Sequence, residues 1–170
     1  MLTLRSALIA CLLPLAPLLS AAAPGAANAE DVIDFASADE EMNSAIAAAQ
    51  KSLPGFLELA GKADLSSGDY LVKWAHPVET GNNDREHIWV QLDTVGFGAL
   101  QGRLANQPVD FSGNAGDPVG VPIAEISDWM YYRADGLIEG SYTTRVMLTR
   151  MSESDRQALE AQLAPLPDGQ

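Results

Sequence analysis

The spacing of apolar residues changes period once along this chain, and that change limits the fold more than any other feature. Met42, Ile46, Ala49 and Leu53 recur at helical spacing, and Ser37 with Glu40 three positions on forms a capping box. An amphipathic helix is therefore predicted from about Ala38 to Ser52. Pro54 is expected to end it, because the residue before a proline is pushed out of the α region. From Tyr70 the period is two. Tyr70, Val72 and Trp74 alternate with Leu71, Lys73 and Ala75, and Arg85 to Thr94 alternates again after a loop from Pro77 to Asp84. Both segments read as strands.

Phe97 to Leu104 follows Gly96, a hairpin position, and carries Gly98 and Gly102, which permit sharp bending or the close approach of another backbone. A short Val119-Gly120-Val121 strand precedes a corner at Asp128-Trp129. Helical spacing returns in Tyr142 to Arg150, and Ser152 with Asp155 three on caps a last helix, Glu153 to Leu163; Ala164 to Gln170 reads as a frayed tail. The fold class expected is α+β: a small curved antiparallel sheet or partly open barrel, SH3-like in size, flanked by an N-terminal helix and C-terminal helices.

Arg5, the apolar run Ala7 to Leu19 and the small-residue site Ala27-Asn28-Ala29 form the pattern of a secretory signal peptide over residues 1–29. Pro14 and Pro17 interrupt the run, which is shorter than the roughly 18 to 20 apolar residues a spanning helix needs, so cleavage is expected rather than anchoring. Cys11 lies too close to Arg5 for lipoprotein processing to be the expected outcome. The mature chain, periplasmic or secreted, would begin at Glu30. Removing 29 of 170 residues leaves 141, enough for one domain over residues 30–163, and the loss of Cys11 excludes a disulfide.

Ten basic against 23 acidic residues give a net charge of −13, and losing Arg5 makes it 9 − 23 = −14. Nucleic acid and anionic lipid surfaces attract basic proteins, so both are disfavoured as partners, and no stable membrane span is expected. A protein or a small ligand is left.

Chemistry concentrates on the Arg85 to Leu92 strand. Ile88, Val90 and Leu92 point one way, while Arg85, His87 and Trp89 point the other and offer a guanidinium, a titratable ring and an aromatic surface to a carboxylate or other anion. The competing reading places Trp89 under a helix as core, with His87 at its rim. Asp128 is expected to cap backbone N–H groups or to pair with Arg145 or Arg103; its catalytic alternative is a general base beside His87. A metal site has weak support, from His76 and His87 joined by a loop holding Glu79, Asp84 and Glu86. No cofactor is implied. No serine lies in a Gly-x-Ser-x-Gly elbow and the mature chain has no cysteine, so nucleophilic catalysis finds no motif. A binding module is the first expectation, a hydrolase using His87 and Asp128, with or without metal, the second, and an envelope accessory protein with no discrete site the third.

Four ordered blocks carry a resemblance: Arg85-Glu86-His87-Ile88-Trp89-Val90, Gly102-Arg103-Leu104-Ala105-Asn106-Gln107-Pro108, Ile126-Ser127-Asp128-Trp129-Met130-Tyr131 and Gly140-Ser141-Tyr142-Thr143-Thr144-Arg145. Together they resemble the YegJ-like family of bacterial proteins, a domain of unknown function, over roughly Asp39 to Leu159. The resemblance implies an N-terminal helix, a compact β-rich centre and closing helices. It implies no known chemistry.

Overall fold

The structure is a computed structural model that describes residues 40–79 and 85–166. The signal segment, Ser37, Asp84 and the last four residues lie outside the described residues. Six antiparallel strands form one open sheet in the order β4-β3-β2-β1-β5-β6. They are β1 (Tyr70–Pro77), β2 (Arg85–Val95), β3 (Ala99–Leu104), β4 (Pro118–Pro122), β5 (Ile126–Tyr132) and β6 (Ile138–Gly140). Helix α1 (Glu40–Ala60) covers one face; α2 (Tyr142–Met147) and α3 (Glu153–Glu160) close the C-terminal end. The architecture is α+β, as expected, and the sheet is not closed into a barrel.

Helix α1 runs eight residues beyond the predicted end, with Pro54 inside it. A proline there loses one backbone hydrogen bond and costs about 3 kcal/mol. The continuation buries Phe56 and Ala60, and Phe56 stacks on Trp129 at 4.9 Å between ring centroids. Burying a phenylalanine contributes about 1.5–3 kcal/mol, and the extra turn adds backbone bonds, so packing outweighs the local rule. Opposite Leu53 and Phe56 stand Val72, Trp74, Ile88, Val90, Leu92, Leu100, Val121, Ile126 and Trp129, the inward row of five strands.

β1 lies at the centre of the sheet, and every residue from Leu71 to Ala75 is buried, on both faces. β2 is buried on the α1 side only over its first half, as its alternation predicts. Gly102 marks the register shift between Leu92 and Thr94; a Cβ there would run into the Gln91 carbonyl oxygen. This is the close backbone approach expected of a strand glycine.

The predicted corner at Asp128 is instead the interior of β5, which carries an irregularity in its pairing between Lys73 and Trp74 of β1. Asp128 forms no turn of its own because its carboxylate is taken up elsewhere, as described below. β6, three residues long, is too short to show a period and has no counterpart among the predicted strands.

Both sheet edges are closed to further strands. Leu104 N–H donates to Asp117 O and Ile123 N–H to Gly98 O, so Pro118, Gly120 and Pro122 point their backbone groups outward from β4. Prolines at two of those three positions remove donors a visiting strand would need, without loss to the ladder. At β6, Ile138 N–H donates to Gln162 O and Ala164 N–H to Ile138 O. Fraying therefore does not start at Ala164, which is buried and held.

Candidate functional site

Register fixes which side chains share the face away from α1. Lys73 pairs with Trp89 on one side and Asp128 on the other, while Ala75 pairs with His87 and Pro77 with Arg85. Arg85, His87 and Trp89 thus stand in a row on that face beside Lys73, by the two-residue period of the pleat. Arg85 and His87 are exposed and Trp89 is half-buried.

Lys73 is the member of this group that alternation alone misses. It is buried, and its Nζ donates to Thr143 Oγ1 at 2.6 Å and lies 4.6 Å from the centroid of the Trp89 ring. Thr143 Oγ1 in turn donates to Asp128 Oδ2 at 2.6 Å, so the ammonium and the carboxylate communicate through a hydroxyl. Burial pulls the Lys73 pKa down, and Asp128 opposes that. Burial pushes Asp128 up, against Lys73 and the N–H and O–H groups that donate to it.

Asp128 is fully occupied. Oδ1 accepts from Trp129 N–H (2.8 Å) and Tyr142 N–H (3.1 Å), and Oδ2 from Thr143 N–H (2.8 Å) and its hydroxyl. The start of α2 needs this acceptor, because Ser141 at φ 56° makes no side-chain cap bond there. A completely buried carboxylate with four donors holds α2 against β5, while the His87 ring bonds to Ser127 and not to Asp128.

His87 Nδ1 meets Ser127 Oγ at 2.8 Å, and Ser127 Oγ donates to the Lys73 carbonyl at 3.2 Å. The serine hydrogen being so used, the neutral ring donates from Nδ1 and leaves Nε2 as an acceptor. Desolvation of the inward edge, then the charges of Lys73 and Arg85, push the imidazole pKa down to about 4. Much of the ring remains in water, and solvent screening limits the stability at stake. A depressed histidine pKa means that the unfolded chain takes up a proton the folded one refuses. Its stabilising effect is complete above about pH 6.5 and is lost as pH falls toward 4. His87→Asn should flatten the pH dependence of the urea midpoint in that window; an unchanged slope would remove His87 as its source.

The remaining candidates are placed differently. Arg145 donates through Nε to Gly140 O (3.0 Å) and through Nη2 to Ala164 O (2.6 Å), tying the C-terminal segment to β6 rather than pairing with Asp128. Arg103 pairs with Asp93 instead. His76 pairs with Glu86, one register position from the Ala75–His87 pair, so it projects to the opposite face from His87 and sits between the Trp74 and Phe111 rings. The hairpin does not bring the two imidazoles together. Glu86 is buried, accepting the N–H groups of Val109 and Asp110, and anchors the loop that follows β3. Among the described residues no group of three His, Cys, Asp or Glu side chains converges as a metal site.

Lys62, Arg103, Arg133 and Arg156 each sit against a carboxylate. Lys73 and Arg85 have none within ion-pair distance among the described residues. Arg85 spends one N–H on the Ala75 carbonyl at 2.8 Å.

Comparison with known proteins adds relatives. The chain is 30% identical over 125 residues to the uncharacterized protein YegJ of Escherichia coli strain K12, covering 73% of this chain and 78% of that one. It is 30% identical over 132 residues to a Neisseria meningitidis serogroup B protein named "Putative ankyrin repeat protein", covering 73% of this chain and 51%, about half, of that one. No solved structure matches. A family model spans residues 39–164, from the start of α1 to the strap on β6, and with it the chain belongs to the bacterial family described as "Uncharacterized protein conserved in bacteria (DUF2314)".

Proposed function

We propose that the mature chain is an exported, single-domain, non-catalytic binding module that receives an anionic group, a carboxylate by preference, of a partner protein or small ligand on the Arg85, His87 and Trp89 face. One observation carries this reading. On a chain of net charge −13, the exposed His87, its Nδ1 held by Ser127, sits in the positive field of Lys73 and Arg85, two residues along the strand from a half-buried indole. Such a face suits a planar anion, with the guanidinium as fork and the indole as wall. An arriving carboxylate favours the charged imidazole, so binding takes up a proton and strengthens as pH falls toward the depressed His87 pKa of about 4.

The hydrolase alternative loses its support in Asp128, whose oxygens are committed to four donors. Export rests on Arg5, the apolar run and Ala27-Asn28-Ala29 in the sequence.

The test is capture from envelope extract with immobilised residues 30–170, compared with Arg85→Ala and His87→Ala, after the mass of the purified exported chain has fixed its N-terminus. Partners held by the wild type should be lost from both variants and retained better at pH 5 than at pH 8, since His87 takes up its proton only toward pH 4. Equal capture by all three proteins would defeat the binding face. An intact N-terminus on the exported protein would defeat cleavage.

A further inference from the structure

The hairpin joining β2 and β3 turns through Gly96-Phe97-Gly98 and holds Phe97 entirely in solvent, at 112% relative exposure. The tip is shaped rather than slack: Gly98 takes φ +83°, a Cβ on Gly96 would press on the Ala99 carbonyl, and Ile123 N–H donates to Gly98 O at 3.2 Å. Ile123 also opens a short 3₁₀ turn, Ile123–Glu125. Between that turn and α1 lies an open, mainly apolar groove of about 410 Å³, lined by Gln50, Leu53, Pro54, Leu57, Ile123 and Ala124. Knob and groove therefore stand side by side on the same flank, and the bond from Ile123 to Gly98 joins them.

We propose that Phe97 of one copy seats in the α1 groove of a second copy, and the reverse, forming a two-fold dimer. Three features select a second copy over another occupant. The groove has the apolar lining and the volume for an aromatic ring, and the chain itself presents one fully exposed beside it. A two-fold axis between tip and groove lets each copy give and receive the same contact, so the assembly closes. Strand-to-strand association is unavailable, since prolines blunt β4 and the C-terminal segment covers β6. A foreign apolar partner would fill the groove and leave Phe97 in water.

The dimer is weak. One ring in one groove, twice over, covers less than the roughly 800 Å² per partner of a standard stable interface. A net charge of 9 − 23 = −14 on each mature copy also opposes approach, so salt should strengthen association by screening. His87 and Trp89 occupy the other face of the sheet, so this inference stands or falls apart from the anion site.

Sedimentation equilibrium of the mature protein, from low micromolar to near-millimolar concentration and at low and high salt, is the test. The wild type should pass from monomer to dimer, at lower concentration in high salt. Phe97→Ser removes the knob and Ala124→Glu places a carboxylate in the groove; each residue is exposed, so the fold is retained, and each change should weaken association roughly tenfold or more. A mixture of the two variants, which keeps one intact contact, should associate more tightly than either alone. A wild type that stays monomeric throughout, a Phe97→Ser protein that dimerises like the wild type, or open polymers in place of a dimer would each overturn the proposal.

Discussion

Replacing Asp128 with alanine should cost about 3–5 kcal/mol of folding stability, the range for removing one partner of a buried charged network. That is a large share of the ~5–15 kcal/mol that holds a domain of this size together. The change leaves the N–H groups of Trp129, Tyr142 and Thr143 and the Thr143 hydroxyl without their acceptor, in a place water does not reach. It also strands the Lys73 ammonium, whose hydrogen-bond acceptor among the described residues, Thr143 Oγ1, is positioned by that carboxylate. Asp128→Asn keeps the shape but turns an amide toward donors that want an acceptor, so it should fall between alanine and the wild type. Lys73→Met, which removes a buried charge and keeps its volume, should be much milder. Urea unfolding of the three variants checks the order. An alanine variant within about 1 kcal/mol of the wild type would mean that Asp128 does not hold α2 to the sheet.

What the sequence reveals of this site, and what it hides, follows from what periodicity encodes. The row of Arg85, His87 and Trp89 is legible because a strand's two-residue period dictates it, whatever the strand pairs with. Lys73 alternates in the same manner within β1, yet nothing local says that β1 is central and covered on both faces. The burial of its amine depends on Asp128 and Thr143, which lie 55 and 70 positions further on. Ser-Asp at 127–128 carries turn chemistry in isolation, and three of the carboxylate's four donors, two N–H groups and a hydroxyl, lie past the end of β6. The acceptors of Arg145 are backbone carbonyls, which no side-chain pattern announces. Pro54 is the converse case, a strong local stop overruled by Phe56 and Ala60 packing on a sheet that the helix itself does not encode. The two histidines were separated by register: pairing Ala75 with His87 puts His76 on the other face, and a slip of one residue would have joined them.

Trp129 and Trp89 sit on opposite faces of neighbouring registers, and their truncations should differ sharply. Trp129 is 5% exposed, stacks on Phe56, meets Tyr142 edge-on at 5.7 Å, and donates its indole N–H to Ala49 O and Ser52 Oγ. It joins α1, β5 and the start of α2 at one point. Trp129→Ala should therefore cost about 3–5 kcal/mol, as expected for a large aromatic lost from a packed core. Trp89 is half-buried, and its identified partner on that face is the Lys73 ammonium, a contact contributing about 0.5–2 kcal/mol. Trp89→Ala should accordingly lower stability by about 1–2 kcal/mol while abolishing capture of the anionic partner, the profile of a residue that meets a ligand. Thermal and urea unfolding of both variants, read beside the capture assay, separates the two roles. If Trp89→Ala destabilised as severely as Trp129→Ala and left captured partners unchanged, the indole would be core packing, and the positive face would lose the wall against which a planar anion is held.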